Sequence, residues 1–311
     1  MEIEILGAES LGVRGLSCVV RTDDRTILID PGLALGYHRH GLLPHPAQVA
    51  VGECVRSKIL STLEEASDVV LSHLHGDHIP LPDANPYQIL ARRAAPLCRT
   101  VRLWVKGQTG LSRPMIDRRA ALGEALERRL PSADGLVDGA LSFSPPVAHG
   151  EPDTYLGTVI MTRVEDKGVV FVHAPDIQLL DARAVSLLTD WAPDVALVGG
   201  PPLYLSRVMT PSRRGRAWQN ALRLARSVNT LILDHHMLRC TEGLEWLERL
   251  SAETPNRVMC AADYMERPRC LLEARRETLY EEMPVPEGWH RAYARGEADT
   301  SSYRQYVSTC A

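Results

Sequence analysis

A short histidine-rich segment at the end of an apolar run constrains this chain more than any other feature. The apolar run at 68–71 has the length and composition of a buried strand, and the segment HLHGDH at 73–78 follows it almost at once. In extended backbone His73 and His75 point the same way, and Gly76 permits a sharp turn that aims the last two residues back. A polar loop that is rich in histidine by chance is the alternative. Four such side chains in six positions instead predict a metal site.

Further candidate ligands fall where later predicted strands end. These residues are His149, Asp176, His235 and His236. The last two would point to opposite sides of an extended backbone, so only one of them is expected to bind a metal. His235 is favoured because it directly follows the predicted strand at 230–234. The alternatives are a buried core histidine for His149 and a plain turn residue for Asp176.

Asp30 ends another predicted strand, immediately before Pro31 and Gly32, which stop that strand. Its carboxylate either caps a turn or orients a metal ligand from behind. The nearby loop at 33–47 holds His38, His40 and His45, which are expected to be solvated, with substrate contact as the alternative.

Strands and helices alternate along most of the chain, which predicts an α/β fold. Helical spacing is found at 48–66, 115–130 and 213–228. Strand patterns are found at 2–6, 16–22, 25–30, 101–105, 156–164, 168–173 and 195–200. The charged segment at 264–283 is also expected to be a helix, and His290 beyond it is not expected to be a ligand.

The segment HLHGDH resembles the HxHxDH signature of the metallo-β-lactamase-fold superfamily of metallohydrolases. That resemblance implies an αββα four-layer sandwich over 1–262, followed by a C-terminal helical extension over 263–311 that packs on the core or on a partner subunit. The segments LIDPG, DHHML and ARRETLYEE are also similar to a branch of predicted hydrolases known mostly from archaea and bacteria. This branch carries no substrate with it.

The resemblance also implies a ligand set for two metal ions. One ion would be bound by His73, His75 and His149. The other would be bound by Asp77, His78 and either His235 or His236, and Asp176 would bridge the two. Asp30 would support the ligands from behind, and Asp77 is in addition the expected catalytic residue. Zinc is the expected metal, with iron or manganese as alternatives, because imidazole-rich sites suit these ions better than magnesium or calcium.

Two divalent ions that share a water lower the pKa of that water towards neutrality, and the resulting hydroxide attacks an electrophile. The sequence contains no GxSxG elbow and no P-loop, which argues against a serine hydrolase and a nucleoside triphosphatase. The expected function is therefore binuclear hydrolysis of a small anionic ester, lactone or phosphodiester. A di-iron enzyme that activates oxygen and a non-catalytic metal-binding protein are the alternatives.

Charge and composition bear on partners and location. The net charge of −4 argues against a general binder of nucleic acid, so a small-molecule substrate is expected. Arginines at 207, 213, 214 and 216 would favour a carboxylate or phosphate if they line the site, and otherwise form a solvated face. No apolar run is long enough to span a membrane. Seven cysteines without CxxC spacing predict reduced thiols and a cytoplasmic location, and a homo-oligomer is left open.

Overall fold

The first of two β-sheets carries the histidine-rich segment. The computed structural model describes residues 1–152 and 154–310. This sheet has the order β1-β2-β3-β4-β5, and β3, β4 and β5 run parallel. Its strands are β1 (Glu2–Gly7), β2 (Ser17–Arg21), β3 (Thr26–Ile29), β4 (Asp68–Leu71) and β5 (Arg102–Val105).

The second sheet has seven strands in the order β14-β13-β12-β11-β10-β7-β6, and β11 to β14 run parallel. Its strands are β6 (Val137–Asp138), β7 (Leu141–Phe143), β10 (Thr162–Asp166), β11 (Val169–Ala174), β12 (Val195–Val198), β13 (Thr230–Leu233) and β14 (Arg257–Met259). A separate two-stranded ribbon pairs β8 (Val147–Ala148) with β9 (Thr158–Val159).

Ten α-helices are described, and most of them cover the sheets. They are α1 (Pro46–Glu65), α2 (Ala91–Ala94), α3 (Arg113–Leu126), α4 (Ala182–Asp190), α5 (Pro211–Ser227), α6 (Glu242–Ala252), α7 (Ala261–Tyr264), α8 (Arg276–Glu282), α9 (Trp289–Ala294) and α10 (Arg304–Cys310). Two 3-10 helices lie at His235–Arg239 and Ser301–Tyr303.

The first sheet is buried on both faces, because its side chains alternate between two apolar cores. In β4, Val70 joins the core shared with the second sheet, whereas Val69 and Leu71 join the core formed with α1 and α3. Side chains of α4 and α5 pack into the core of the second sheet. The layers are thus helix, sheet, sheet and helix, which confirms the predicted α/β fold and αββα sandwich.

The parallel strands explain why the candidate ligands can meet. Asp30 and the segment 72–78 follow β3 and β4, while Asp176 and the segment 234–239 follow β11 and β13. Carboxyl ends of parallel strands lie at one edge of a sheet, and ligands bind in the crevice outside that edge. Each sheet thus brings its polar strand ends to such an edge.

The predicted helix over 264–283 is wrong as a continuous element. The structure has α7 ending at Tyr264 and α8 beginning at Arg276, with irregular chain between them. Pro268 disfavours helical backbone at the residue before it, and Glu266 adopts a left-handed φ of 54°. Both features stop the helix that the charge pattern predicts.

The C-terminal segment lies against the first sheet and its helices. The side chain of Trp289 is buried in the core that contains α1, and α10 lies beside α1. The division of the chain after residue 262 and a contact with a second subunit stay predictions. In the described part of the chain no helix is both long and apolar enough to cross a membrane.

Among the cysteine side chains that the structure describes, one departs from the sequence expectation. Cys270 is disulfide-bonded, so the expectation of reduced thiols is wrong for this residue. Its backbone is fixed by a 2.7 Å hydrogen bond from its N–H to the carbonyl oxygen of Ser10. The described free thiols are Cys18, Cys54, Cys98, Cys240 and Cys260.

Candidate metal centre

Asp176 lies at the centre of a cluster of six imidazoles. It follows β11, and its side chain is 1% exposed. Four ring nitrogens surround its Oδ2 atom: His149 Nε2 at 2.8 Å, His73 Nε2 at 3.2 Å, His236 Nε2 at 3.6 Å and His75 Nδ1 at 3.7 Å. One carboxylate oxygen therefore faces four potential ligands.

The second oxygen of Asp176 faces a different pair of histidines. Its Oδ1 atom lies 3.4 Å from His78 Nε2 and 3.4 Å from His235 Nε2. Asp77 Oδ2 lies 3.6 Å from the same nitrogen of His235. The cluster therefore has two halves, and Asp176 belongs to both.

Asp30 supports the second half from behind. It is fully buried, and its Oδ2 atom accepts a 2.8 Å hydrogen bond from His78 Nδ1. It also accepts from Ser72, at 2.8 Å from the backbone N–H and at 2.6 Å from the hydroxyl. Because Nδ1 of His78 donates to Asp30, Nε2 is the nitrogen of that ring that faces Asp176 and would be the one to bind a metal ion. Of the two sequence interpretations of Asp30, this arrangement matches the supporting role.

Close backbone approach fixes the loop that holds the histidine-rich segment. A Cβ atom on Gly32 would lie 2.1 Å from the backbone nitrogen of Ile79 and 2.2 Å from the carbonyl carbon of His78. Only glycine fits there, since both neighbouring atoms belong to the backbone. Pro31 and Gly32 therefore do more than stop β3, because they let two loops of the site touch.

Both histidines after β13 enter the cluster, so the expectation that they point to opposite sides is wrong, whereas the expectation that only one of them binds a metal stays a prediction. The chain leaves extended geometry at Asp234 and forms a 3-10 turn, with a left-handed φ of 54° at His235. As a result the rings of His235 and His236 lie side by side, with centroids 4.4 Å apart. Alternation of side chains applies to a strand, and it ends where the strand ends.

The electrostatics keep three of the six rings neutral. Burial, together with neighbouring His78, lowers the pKa of His73 to about 3. Burial is also the main cause that holds the pKa values of His235 and His236 well below the usual range. Metal ligation requires a neutral imidazole, so the protein environment prepares these three rings for it.

For Asp176 and its partner His78 the environment instead favours the charged forms. Burial favours the protonated form of Asp176, but His236, His78 and other imidazoles outweigh it and hold the pKa of Asp176 well below its usual range. Burial likewise lowers the pKa of His78, but Asp176 and Asp30 outweigh it and raise that pKa. Asp176 is therefore an anion that requires positive charge beside it.

The residues fit divalent metal ions. The Oδ1 atom of Asp176 is buried and accepts no hydrogen bond within the described chain. His73 Nε2 lies 3.1 Å from His75 Nδ1, and His78 Nε2 lies 3.2 Å from His235 Nε2. Nitrogen and carboxylate oxygen donors that converge in this way suit zinc, iron or manganese. Four groups have ligand atoms close enough to hold an ion: His73, His75 and His149 with Asp176; Asp77 and His78 with His235; Asp176 with His235 and His236; and Asp30 with His73 and His78.

The sequence analysis did not identify Arg239 and Glu9 as parts of the site. Arg239 lies on the 3-10 turn four residues after His235, and its Nη2 atom lies 3.1 Å from Asp77 Oδ2. Its Nε atom donates to Glu9 Oε1 at 2.7 Å, and both side chains are buried. Spacing gave no signal for Arg239, because in a 3-10 helix residues three apart share a face and residues four apart do not.

The remaining histidines lie outside the cluster. His45 is the N-cap of α1, and its Nδ1 atom accepts from the backbone N–H of Ala47 at 3.1 Å. His40 faces Glu277 at 3.4 Å, and His38 stacks edge-on against exposed Tyr37. His38 and His40 are exposed as expected, whereas His45 is fully buried, so the expectation that it is solvated is wrong. His290 lies between the hydroxyl groups of Tyr87 and Tyr280, at 2.9 Å from each.

Three of the four arginines in the cluster pair with carboxylates of the protein itself, whereas Arg207 lies exposed at the surface. Arg213 and Arg216 both bind Glu151, and Arg214 binds Glu242. These pairs attach α5 to the loop after His149 and to α6. They do not support the suggestion that this cluster receives an anionic substrate.

A small cavity adjoins the cluster beside Asp77. Its volume is about 170 Å³, and polar residues in its wall include Arg14, Asp77, Asn85 and Gln88. The amide oxygen of Asn85 accepts from the backbone N–H of Tyr87 at 2.9 Å, and that of Gln88 accepts from the N–H of Asn85 at 3.1 Å. The guanidinium of Arg14 in the same wall is paired with Glu273, and Asp77 contributes a carboxylate. The cavity therefore combines amide and guanidinium groups with an anionic carboxylate.

Comparisons with known proteins give matches to sequence and to fold. A family model described as the metallo-β-lactamase superfamily matches residues 12–79. A UPF0282 protein of Methanosarcina mazei is 50% identical over 303 residues, which cover 97% of this chain and 99% of that protein. A UPF0282 protein of Pyrococcus furiosus is 33% identical over 304 residues, which cover 93% of this chain and 96% of that protein.

Two solved structures are similar at low sequence identity. A metal-dependent hydrolase of the β-lactamase superfamily is 14% identical with a TM-score of 0.49, and the match covers 83% of this chain and 95% of that one. Zinc-bound PqqB from Methylobacterium extorquens is 11% identical with a TM-score of 0.47, and the match covers 83% of this chain and 98% of that one. These likenesses are too distant to transfer an activity.

Proposed function

This chain belongs to the UPF0282 family within the metallo-β-lactamase superfamily, and from that premise we propose that it is a binuclear metal-dependent hydrolase. The family relationship predicted from the histidine-rich segment is thereby confirmed. The proposed substrate is a small anionic ester, lactone or phosphodiester, and the proposed location is the cytoplasm. Zinc is the proposed metal.

One observation carries the proposal: the two oxygens of Asp176 face two different groups of imidazoles. Oδ2 lies 2.8 Å from His149 Nε2 and 3.2 Å from His73 Nε2, whereas Oδ1 lies 3.4 Å from His78 Nε2. A carboxylate in this position can bridge two ions. A purely structural carboxylate would instead be satisfied by hydrogen bonds, and Oδ1 is not.

Assignment of the ligands follows this division. The first ion would be held by His73, His75, His149 and Asp176. The second would be held by Asp77, His78, His235 and Asp176, with His236 beside both groups at 3.6 Å from Asp176 Oδ2. Two such ions, when bound, supply an activated water and positive charge that polarises the electrophile.

The residues of the chain contribute orientation and exclusion of water. Asp30 accepts a hydrogen bond from Nδ1 of His78 and so fixes the orientation of this ring, which would be a metal ligand. The six imidazoles surround the carboxylate of Asp176, which is 1% exposed, so solvent screens the charges in the site only weakly. The polar cavity beside Asp77 would hold part of a small substrate next to the reacting centre.

Metal analysis of purified protein tests this proposal. We expect about two transition-metal ions per chain, and we expect His75→Ala to lower the content and to abolish hydrolysis across an ester, lactone and phosphodiester panel. His38→Ala, which changes an exposed histidine of a nearby loop, is the matched control and should keep both metal and activity. Less than one ion per chain that His75→Ala leaves unchanged would overturn the proposal.

A further inference from the structure

We infer that Gln178 is a positioning residue of the metal centre, and that its side-chain amide holds the ring of His149 in the orientation that metal binding requires. This inference rests on the proposed binuclear function and gives a role to a residue outside the ligand set. Its basis is the place of His149 in the fold, together with the conformation and the packing of Gln178.

His149 differs from the other described candidate ligands because neither of the two sheets carries it. It follows β8, which pairs with β9 over only two residue pairs, and its backbone N–H donates to the carbonyl oxygen of Gly157 at 3.0 Å. The other candidate ligands follow strands that run parallel to their neighbours within a sheet. The orientation of the His149 ring therefore depends strongly on the contacts of its own side chain.

Gln178 contacts the side of this ring that faces away from Asp176. Nε2 of His149 lies 2.8 Å from Asp176 Oδ2, whereas Nδ1 lies 3.4 Å from the amide nitrogen of Gln178, which is 6% exposed. A neutral ring that binds a metal ion through Nε2 carries its proton on Nδ1 and needs an acceptor there. A side-chain amide has both an NH₂ group and an oxygen, so it can hold the ring whichever nitrogen carries the proton.

The backbone reaches this position through an unfavourable conformation. Gln178 and Leu179 both have a left-handed φ, of 50° and 60°, which is costly for residues other than glycine. Asn220 of α5 donates to the carbonyl oxygen of Leu179 at 2.9 Å and so helps to maintain the turn. Strained backbone that neighbouring residues hold in place is typical of functional sites. The strain here places the Gln178 amide beside a candidate ligand.

Gly150, directly after His149, makes room for the amide. Its φ is 83°, and a Cβ atom on it would lie 2.6 Å from Gln178 Oε1 and 3.1 Å from the amide carbon. A larger residue at this position would push the amide away from the ring. The chain next to the ligand and the side chain that supports the ligand are therefore matched in shape.

Competition between metal-free protein and a chromogenic chelator for Zn²⁺ tests the inference without relying on activity. Gln178→Met keeps the length of the side chain but removes the acceptor, and we expect it to weaken Zn²⁺ binding by about 10- to 100-fold. Gln178→Glu keeps an acceptor oxygen and should bind Zn²⁺ as tightly as the unaltered chain or more tightly. Gln219→Met, at an exposed position of α5, is the matched control and should change nothing.

Gln178→Asn separates positioning of the ligand from stability of the fold. Asparagine suits the left-handed backbone but is shorter by a methylene group, so its amide does not reach His149. We expect urea unfolding of the metal-free variant to show stability equal to or above that of the unaltered chain, while Zn²⁺ binding weakens. A loss of binding without a loss of stability is not expected from a residue that only supports the fold.

Two results would overturn the inference. One is a Zn²⁺ affinity of Gln178→Glu that is no higher than that of Gln178→Met, and the other is an unchanged affinity in Gln178→Asn. Absence of Zn²⁺ binding by the unaltered chain would instead contradict the proposed function, on which the inference rests.

Discussion

Asp30 shows how a single residue can matter without contacting the reaction. Its left-handed backbone, with φ of 51°, turns the carboxylate to meet both Ser72 and His78. Asparagine tolerates this backbone conformation well, so the exchange of oxygen for NH₂ can be tested there without adding strain. Any effect of Asp30→Asn then comes from the lost acceptor oxygen and not from a change in backbone conformation.

We predict that Asp30→Asn weakens Zn²⁺ binding by about 10- to 100-fold, the usual effect of removing a partner of a metal ligand. The reason is that asparagine has one acceptor oxygen where aspartate has two. Either His78 Nδ1 or the backbone N–H of Ser72 therefore loses its acceptor. Competition with a chromogenic chelator measures the affinity. Asp24→Asn, at an exposed hairpin turn, serves as the control. Equal affinities in the two variants would contradict the role given to Asp30.

At the scale of elements, His45 links the start of α1 to the C-terminal segment. Its Nδ1 atom caps the helix, and its Nε2 atom donates to the carbonyl oxygen of Met283 at 2.9 Å. Burial, with a smaller contribution from Arg276, lowers the pKa of this imidazole from the usual 6.5. The neutral ring is required, since a protonated Nδ1 could not accept at the helix terminus.

The sign of the pH effect follows from that lowered pKa. Below a pH of about 6.5 the unfolded chain takes up a proton at His45 that the folded chain does not, so the free energy of unfolding falls as the pH falls. We predict a shallower fall in His45→Asn, because asparagine caps helices and does not titrate. Urea unfolding of metal-free protein between pH 8 and pH 5 measures it. His38→Asn is the control, and identical slopes for His45→Asn and the unaltered chain would refute the prediction.

At the scale of the whole molecule, Arg276 joins the C-terminal segment to the loop beside the metal centre. It is fully buried and donates to the carbonyl oxygens of Leu35, Gly36 and Leu42. A further hydrogen bond of 3.2 Å reaches Gln48 of α1. One side chain thus satisfies the backbone of the segment 35–42, which includes part of the cavity wall.

We predict that Arg276→Met lowers the free energy of unfolding by about 3 kcal/mol or more, since several buried carbonyl groups lose their donor. Arg276→Lys should restore only part of it, because one ammonium group cannot reproduce the planar set of donors. Arg275→Met changes an exposed neighbour and should have little effect. Urea unfolding is the measurement, and a loss for Arg276→Met no larger than that for Arg275→Met would show that the contacts are dispensable.

Much of the site could be predicted because its information is local. The histidine-rich segment, Asp30, His149, Asp176 and the pair at 235–236 all follow apolar runs that have strand character, and such runs can be recognised within a few residues. Parallel strands place their carboxyl ends at one edge, so the gathering of these side chains follows from the α/β pattern, except for His149, which follows the antiparallel strand β8.

Other parts were decided only by the tertiary structure. Arg239 and Glu9 lie 230 positions apart in sequence, and nothing local to either residue predicts their ion pair. The inward turn of both His235 and His236 depends on a left-handed residue after β13, which the strand pattern does not reveal. The sequence by itself therefore determined which side chains could bind metal, because strand periodicity is a property of neighbouring residues. The position of the Arg239 guanidinium beside Asp77 and Glu9 was decided by the packing of distant segments.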